Sequence, residues 1–183
     1  MRVYLNGTFS NGKTTLKKWV AERYSLSAIP EIARTVLAER EILDLSLLRA
    51  NTSLLFDVQT EILKRQFEAE TAAEDNYVCC RGLDSVAFLI NFAEDIDVST
   101  FLNTTLYKKY VKWLKNSYTF LLKPHKELIK SDGIRDTDWE LSLILFGIVK
   151  TMLRMEDIPY ILISDVNMSE RQSLIKGVID GIE

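Results

Sequence analysis

Gly7-Thr8-Phe9-Ser10-Asn11-Gly12-Lys13-Thr14 follows directly on the apolar run Arg2-Val3-Tyr4-Leu5-Asn6 and fits in full the phosphate-binding pattern G-x-x-x-x-G-K-[ST]. Each part of that pattern has a physical task. The glycines let the backbone fold around phosphate, the loop N–H groups point inward, the lysine reaches the β- and γ-phosphates, and the following hydroxyl takes a magnesium ion. A nucleoside triphosphate is therefore the expected ligand of Gly7, Thr8, Phe9, Ser10, Asn11, Gly12, Lys13, Thr14 and the adjoining Thr15. Lys13 is the candidate catalytic cation and Thr14 the candidate magnesium ligand.

The neighbouring sequence separates this reading from a solvated turn of the same spelling. Before the loop stands a strand-like segment. After it, Leu16, Val20 and Tyr24 recur at helical spacing while Lys17, Lys18 and Glu22 fall elsewhere. Strand, loop and helix is the context the pattern requires, and the helix start adds its own free N–H groups and partial positive charge where the phosphates would lie.

The 183 residues fit one domain, 1–183, of a size that buries most of its unfolded surface without staples. Hydrophobic residues make up 47% and charged residues 27%, the balance of a soluble globular protein, and no apolar run nears the ~20 residues needed to cross a bilayer. The short apolar start leads straight into the loop and does not read as a signal peptide, so a cytoplasmic setting is expected. Cys79 and Cys80 are adjacent, which offers no disulfide between distant segments and no zinc spacing. A net charge of -3 gives no general affinity for nucleic acid or for anionic membrane. Oligomerisation is left open.

Strand-like runs alternate with longer helical patterns, which predicts an α/β fold with three layers: a five-stranded parallel sheet covered by helices on both faces. The strands expected are that of Leu5, then Leu26 to Ile29, Tyr77 to Cys80, Tyr118 to Leu122 and Tyr160 to Ile163. Helices are expected at Lys13 to Tyr24, Glu31 to Glu41, Leu48 to Ala73, Leu83 to Phe92, Phe101 to Lys115, Trp139 to Met155 and Ser169 to Ile179. Residues 123–138 lack periodicity and carry Pro124 and Gly133, so they read as a long loop of the kind that forms a lid. His125, the only histidine, reads as a solvent-facing part of it.

Ligands of such sheets collect at the carboxyl ends of the strands, and the polar residues there are the candidates. After the second strand, Glu31 and Arg34 share one face of a helix start, where they could hold a sugar hydroxyl and a phosphate or simply pair with each other. Beyond the third strand come Arg81, able to reach phosphate or simply to pair with a neighbouring carboxylate, and Asp84, able to support the nucleophile or to complement the helix dipole. On the lid, Arg135 suits a cation that neutralises charge on a moving phosphoryl group.

Taken together, Gly7 to Thr14, Pro30-Glu31-x-Ala33-Arg34, Arg81-Gly82-Leu83-Asp84-Ser85 and Asp132-Gly133-x-Arg135-Asp136 resemble a known family. It is that of the small phosphate-loop kinases and AAA-like ATPases that includes the ribosylnicotinamide kinase domain of the bacterial NAD-biosynthesis regulator. The resemblance runs over nearly the whole chain, through the Ser169 to Arg171 segment. It implies a nucleotide-kinase fold and ATP- and Mg2+-dependent phosphorylation of a nucleoside, a nucleotide or a nicotinamide riboside-like compound. It also implies roles: Lys13 and Thr14 on triphosphate and magnesium, Glu31, Arg34 and Arg81 toward the acceptor, Arg135 over the phosphates. Cys80 stands where relatives often carry the aspartate of Asp-Arg-Gly, which leaves Glu31 or Asp84 to supply the carboxylate. That departure keeps a second function class in view, a nucleotide-binding ATPase switch or degenerate kinase acting through a protein partner.

Overall fold

The computed structural model describes residues 1–93, 97–128 and 138–181. In chain order the elements are Arg2–Asn6 (β1), Lys13–Tyr24 (α1), Ser27–Ala28 (β2), Ile32–Glu39 (α2), Leu45–Ala50 (α3), Thr52–Ala72 (α4), Tyr77–Cys79 (β3), Asp84–Phe92 (α5), Val98–Leu102 (α6), Thr105–Leu114 (α7), Tyr118–Leu122 (β4), Trp139–Met155 (α8), Ile161–Ile163 (β5) and Met168–Asp180 (α9).

Side-chain alternation along β1 divides it between two cores. Val3 and Leu5 enter one and Tyr4 the other, as the two-residue period of a strand dictates. Being apolar on both faces, β1 sits mid-sheet, parallel to β3 with Val3 opposite Val78 and parallel to β4 with Leu5 opposite Phe120. The sheet order is β2-β3-β1-β4-β5, with every neighbouring pair parallel, so each connection is a helical crossover. On one face α1 and α9 bury Leu16, Val20 and Ile175 against Val3, Leu5, Val78, Phe120 and Leu122. Each such side chain contributes roughly 1.5–3 kcal/mol by leaving water. The other face is covered by Val36, Leu55, Val86, Tyr110 and Val149 from α2, α4, α5, α7 and α8. The three-layer architecture is the one expected.

Two expected helices are each divided. The stretch expected to run from Leu48 to Ala73 breaks at Asn51, whose side-chain oxygen accepts the Leu54 N–H at 3.0 Å and starts α4. The one expected from Phe101 to Lys115 breaks at Thr104, whose hydroxyl accepts the Tyr107 N–H at 3.2 Å. Both are N-caps, which satisfy backbone donors that a continuous helix would bond itself. The second strand is shorter than Leu26 to Ile29, although Ile29 still donates to the Val78 carbonyl at 2.9 Å. Among the described residues, no helix is long and apolar enough to cross a membrane.

Candidate functional site

The connection after β1 leads to one side of the sheet and the one after β4 to the other, so these adjacent strands part at their carboxyl ends and leave a crevice. The Gly7–Thr14 loop lies there. Its last residues adopt the left-handed conformation: Ser10 has φ 49 and Gly12 φ 77, and only the glycine takes this without strain. Between them Asn11 is buried and donates its side-chain amide to the Leu122 carbonyl of β4 at 2.9 Å. The Lys13 ammonium folds back over the loop to donate to the Thr8 carbonyl. At the start of α1 there is neither a side-chain cap nor an acidic residue in the first turn. The helix therefore directs unmasked N–H groups and a positive dipole at the loop, an arrangement that receives anions.

Polar atoms around the loop point the same way. Asn6 Oδ1 and Nδ2, Thr8 Oγ1, Asn11 Oδ1, Arg81 Nε and Arg171 Nη2 are buried without a hydrogen-bond partner among the described residues. Such groups are ordinarily satisfied, and the donors among them, Asn6 Nδ2, Thr8 Oγ1, Arg81 Nε and Arg171 Nη2, are of the kind that phosphate oxygens would accept from. Thr14, the candidate magnesium ligand, is exposed at the first turn of α1. Among the described residues no three His, Cys, Asp or Glu side chains gather as a metal site. Magnesium suits so sparse a donor set, since it keeps most of its waters and is held chiefly by phosphate oxygens.

Beside the loop, Glu31 brings two arginines together. Its carboxylate pairs with Arg34 at 2.8 Å and with Arg81 at 3.6 Å. Glu31 stands at the N-cap position of α2 but makes no capping bond there, its oxygens going to the guanidinium groups instead. Lys17 donates to the Ile29 carbonyl at 2.7 Å and so ties α1 to the turn that carries Glu31. Cys80 lies within the field of these groups. Burial pushes its thiol up, Glu31 adds to that, and Lys13, Lys17 and Arg81 pull it down. Glu31, Arg34 and Arg81 thus form one ion-pair group, and Glu31, Arg81 and Lys13 all act on the Cys80 thiol. Asp84 has a different local partner: its carboxylate accepts the Gly82 N–H at 3.0 Å and fixes the turn from β3 into α5.

Arg135, Asp132, Asp136 and most of the expected lid lie outside the described residues. The described part of that segment holds a short 3-10 turn, Lys126–Leu128, and His125, whose Nε2 is buried rather than solvent-facing as expected. Sequence reading missed the roles of Asn6 and Arg171. Asn6 is 1% exposed at the end of β1, and Arg171 is 0% exposed with Nη1 donating to the Asn11 carbonyl at 2.7 Å. Asn6 carries a faint signal, a polar residue closing an apolar strand. Arg171 carries none, being one charge among several near a helix start.

Against known proteins, the model of the AAA domain family matches residues 2–171. No curated protein matches. Solved structures share the fold. NadR protein in complex with NR superposes with a TM-score of 0.69 at 16% identity, over 90% of this chain and 43% of that one, so the chain spans less than half of that protein. Deoxyadenosine kinase from M. mycoides superposes at 0.65 in two forms. The form with bound dATP is 15% identical over 98% of this chain and 100% of the other. The form with the products dCMP and a flexible dCDP is 17% identical over 100% of both.

Proposed function

Since the chain belongs to the AAA domain family, with a phosphate loop and a kinase-like fold, we propose that it is a phosphotransferase. In this reading it passes the γ-phosphoryl group of ATP to a nucleoside, a nucleotide or a nicotinamide riboside-like acceptor. The observation that carries this reading is the Arg34–Glu31–Arg81 group set beside the phosphate loop. A protein that only bound and hydrolysed nucleotide would need no second set of paired charges there. NadR bound to NR and a deoxyadenosine kinase are among the structures that share the fold.

Catalysis of this reaction is mainly positioning and charge neutralisation. Lys13 and the N–H groups at the start of α1 hold the phosphates, and Arg34 and Arg81 orient the acceptor. Glu31 takes the proton of the acceptor hydroxyl. As the new bond from that oxygen to the γ-phosphorus forms, the bond from phosphorus to the β–γ bridging oxygen breaks, and ADP leaves with the electron pair. Bound at Thr14, magnesium would neutralise phosphate charge. Arg135 is the proposed lid cation. A cytoplasmic, single-domain enzyme fits this chemistry.

The second reading, a nucleotide-binding switch or degenerate kinase with a protein partner, draws on Cys80, because the residue directly after β3 is a thiol that cannot hold a metal-bound water as a carboxylate does. Single-turnover transfer from labelled ATP separates the two, using nucleosides, nucleoside monophosphates and nicotinamide riboside as acceptors, with wild type and Arg135→Ala side by side. Labelled acceptor from the wild type, and a much lower rate with little change in ATP affinity for Arg135→Ala, support the kinase. No labelled acceptor in the whole set favours the switch.

A further inference from the structure

The side chain of Arg171 is fully buried, yet among the described residues it makes no ion pair. Its Nε donates to the Asp165 carbonyl at 2.6 Å and its Nη1 to the Asn11 carbonyl at 2.7 Å, while its Nη2 finds no acceptor among the described residues. The acid whose charge it feels, Asp165, offers it a backbone oxygen rather than its carboxylate. Two features make this an expensive place for a cation. A buried charge without a counter-ion is strongly disfavoured, and Arg171 lies in the first turn of α9, where the helix dipole repels positive charge. Something must offset both.

What the guanidinium touches is the phosphate loop. The place a Cβ would take on Gly12 lies 3.2 Å from Nη1, so Arg171 packs directly against the loop where it enters α1. The carbonyl it holds belongs to Asn11, between the left-handed residues Ser10 and Gly12. Asn11 is thereby fixed at both ends, its backbone by Arg171 and its amide by the Leu122 carbonyl. Fixing that one peptide sets the direction of the N–H groups that follow it.

We infer that Arg171 is a positioning residue of the phosphate site, which locks the Asn11 peptide and lends its buried charge to the polyphosphate without touching the acceptor. The inference rests on the reading of Gly7–Thr14 as a phosphate loop. A bound polyphosphate would be the missing counter-charge, so the energy lost by burying Arg171 in the free protein would return on binding. Affinity would then depend on Arg171 in proportion to ligand charge.

Calorimetry with tripolyphosphate, ATP, ADP and adenosine on wild type, Arg171→Met and Arg171→Lys tests it. Arg171→Met is expected to weaken tripolyphosphate and ATP by roughly tenfold or more, ADP by less and adenosine hardly at all, with Arg171→Lys recovering part of the loss by keeping the charge. Thermal unfolding gives a second measure: nucleotide-induced stabilisation shrinks in Arg171→Met while the ligand-free midpoint stays within a few degrees. Equal losses for ATP and adenosine, or unchanged ATP affinity in Arg171→Met, overturn the inference and leave the phosphate-loop reading standing. Failure of the wild type to bind either tripolyphosphate or ATP overturns that reading instead, and this inference with it.

Discussion

The position a Cβ would take on Gly82 lies 2.4 Å from Oδ1 of Asn6, so the turn leaving β3 rests directly on the side chain that closes β1. Asn6 is buried, and among the described residues no hydrogen bond holds its side chain, so it is the surrounding packing that resists its moving aside. Gly82→Ala must push the amide or lift the turn, and the turn carries Arg81 on one side and Asp84 on the other. We expect a loss of about 1–3 kcal/mol by urea denaturation, the range for overpacking a tight interior, together with weaker acceptor binding. The double variant Asn6→Ala/Gly82→Ala should recover most of the stability. No recovery would mean that the contact is not what excludes the side chain.

Lys13 lies folded over the loop against the Thr8 carbonyl and within the field of Cys80. On the phosphate-loop reading, Lys13→Ala should weaken ATP by roughly tenfold or more by removing a charge-assisted contact, and abolish turnover, with the fold intact by circular dichroism. Thr14→Ala should instead change the magnesium dependence more than nucleotide affinity. Calorimetry decides, and unchanged ATP affinity in Lys13→Ala would remove the loop from the site.

How far the sequence could be read follows from how local each cause is. The loop was legible because glycine and lysine at fixed spacing specify a backbone path, and the strands because Val3, Tyr4 and Leu5 alternate between two apolar faces. Asn51 and Thr104 could have been found as caps from residue type alone, but apolar periodicity ran through them and won. Arg171 could not be read, since its meaning lies in Asn11, 160 residues away. Glu70 is intermediate. Val58, Ile62, Gln66 and Glu70 share one buried stripe of α4, so the four-residue spacing shows that Glu70, and not Glu68, turns inward.

The carboxylates near the site have separable roles. Glu31 is held by two arginines beside the loop, whereas Asp84 spends an oxygen on the Gly82 N–H. Glu31→Gln should therefore lower the transfer rate by roughly a hundredfold, the scale of general-base loss, and Asp84→Asn should act mainly by loosening the turn, with a smaller effect on rate that follows stability. Cys80→Asp should maintain or raise activity if a carboxylate at the end of β3 helps hold magnesium. Pre-steady-state transfer rates measure all three. Full activity in both Glu31→Gln and Asp84→Asn would leave positioning alone to carry catalysis.

The last prediction concerns pH and lies beneath the sheet, away from the loop. The Glu70 carboxylate is fully buried and accepts from Tyr4, from Tyr110 at 3.0 Å, from Gln66 at 2.7 Å and from Tyr77 at 3.3 Å, with the Cys79 thiol at 3.7 Å. Desolvation outweighs these donors and raises its pKa to about 7. Among the described residues no arginine or lysine shares the cluster's hydrogen bonds, so the neutral donors, which favour the carboxylate, do not overcome burial. The sign follows from proton counting. Between the ordinary carboxylate range and about 7 the folded protein binds a proton that the unfolded chain releases, so stability is full below that window and declines as pH rises through it. Urea midpoints between pH 4.5 and 7.5 should fall with increasing pH and level off at the top, against the trend of acid-labile proteins. Glu70→Gln removes the titrating group while keeping an amide among the same hydroxyls, and it should flatten the profile. A wild-type midpoint that rises across this range, or a Glu70→Gln profile with the same slope as wild type, would show that the carboxyl titrates as an ordinary one.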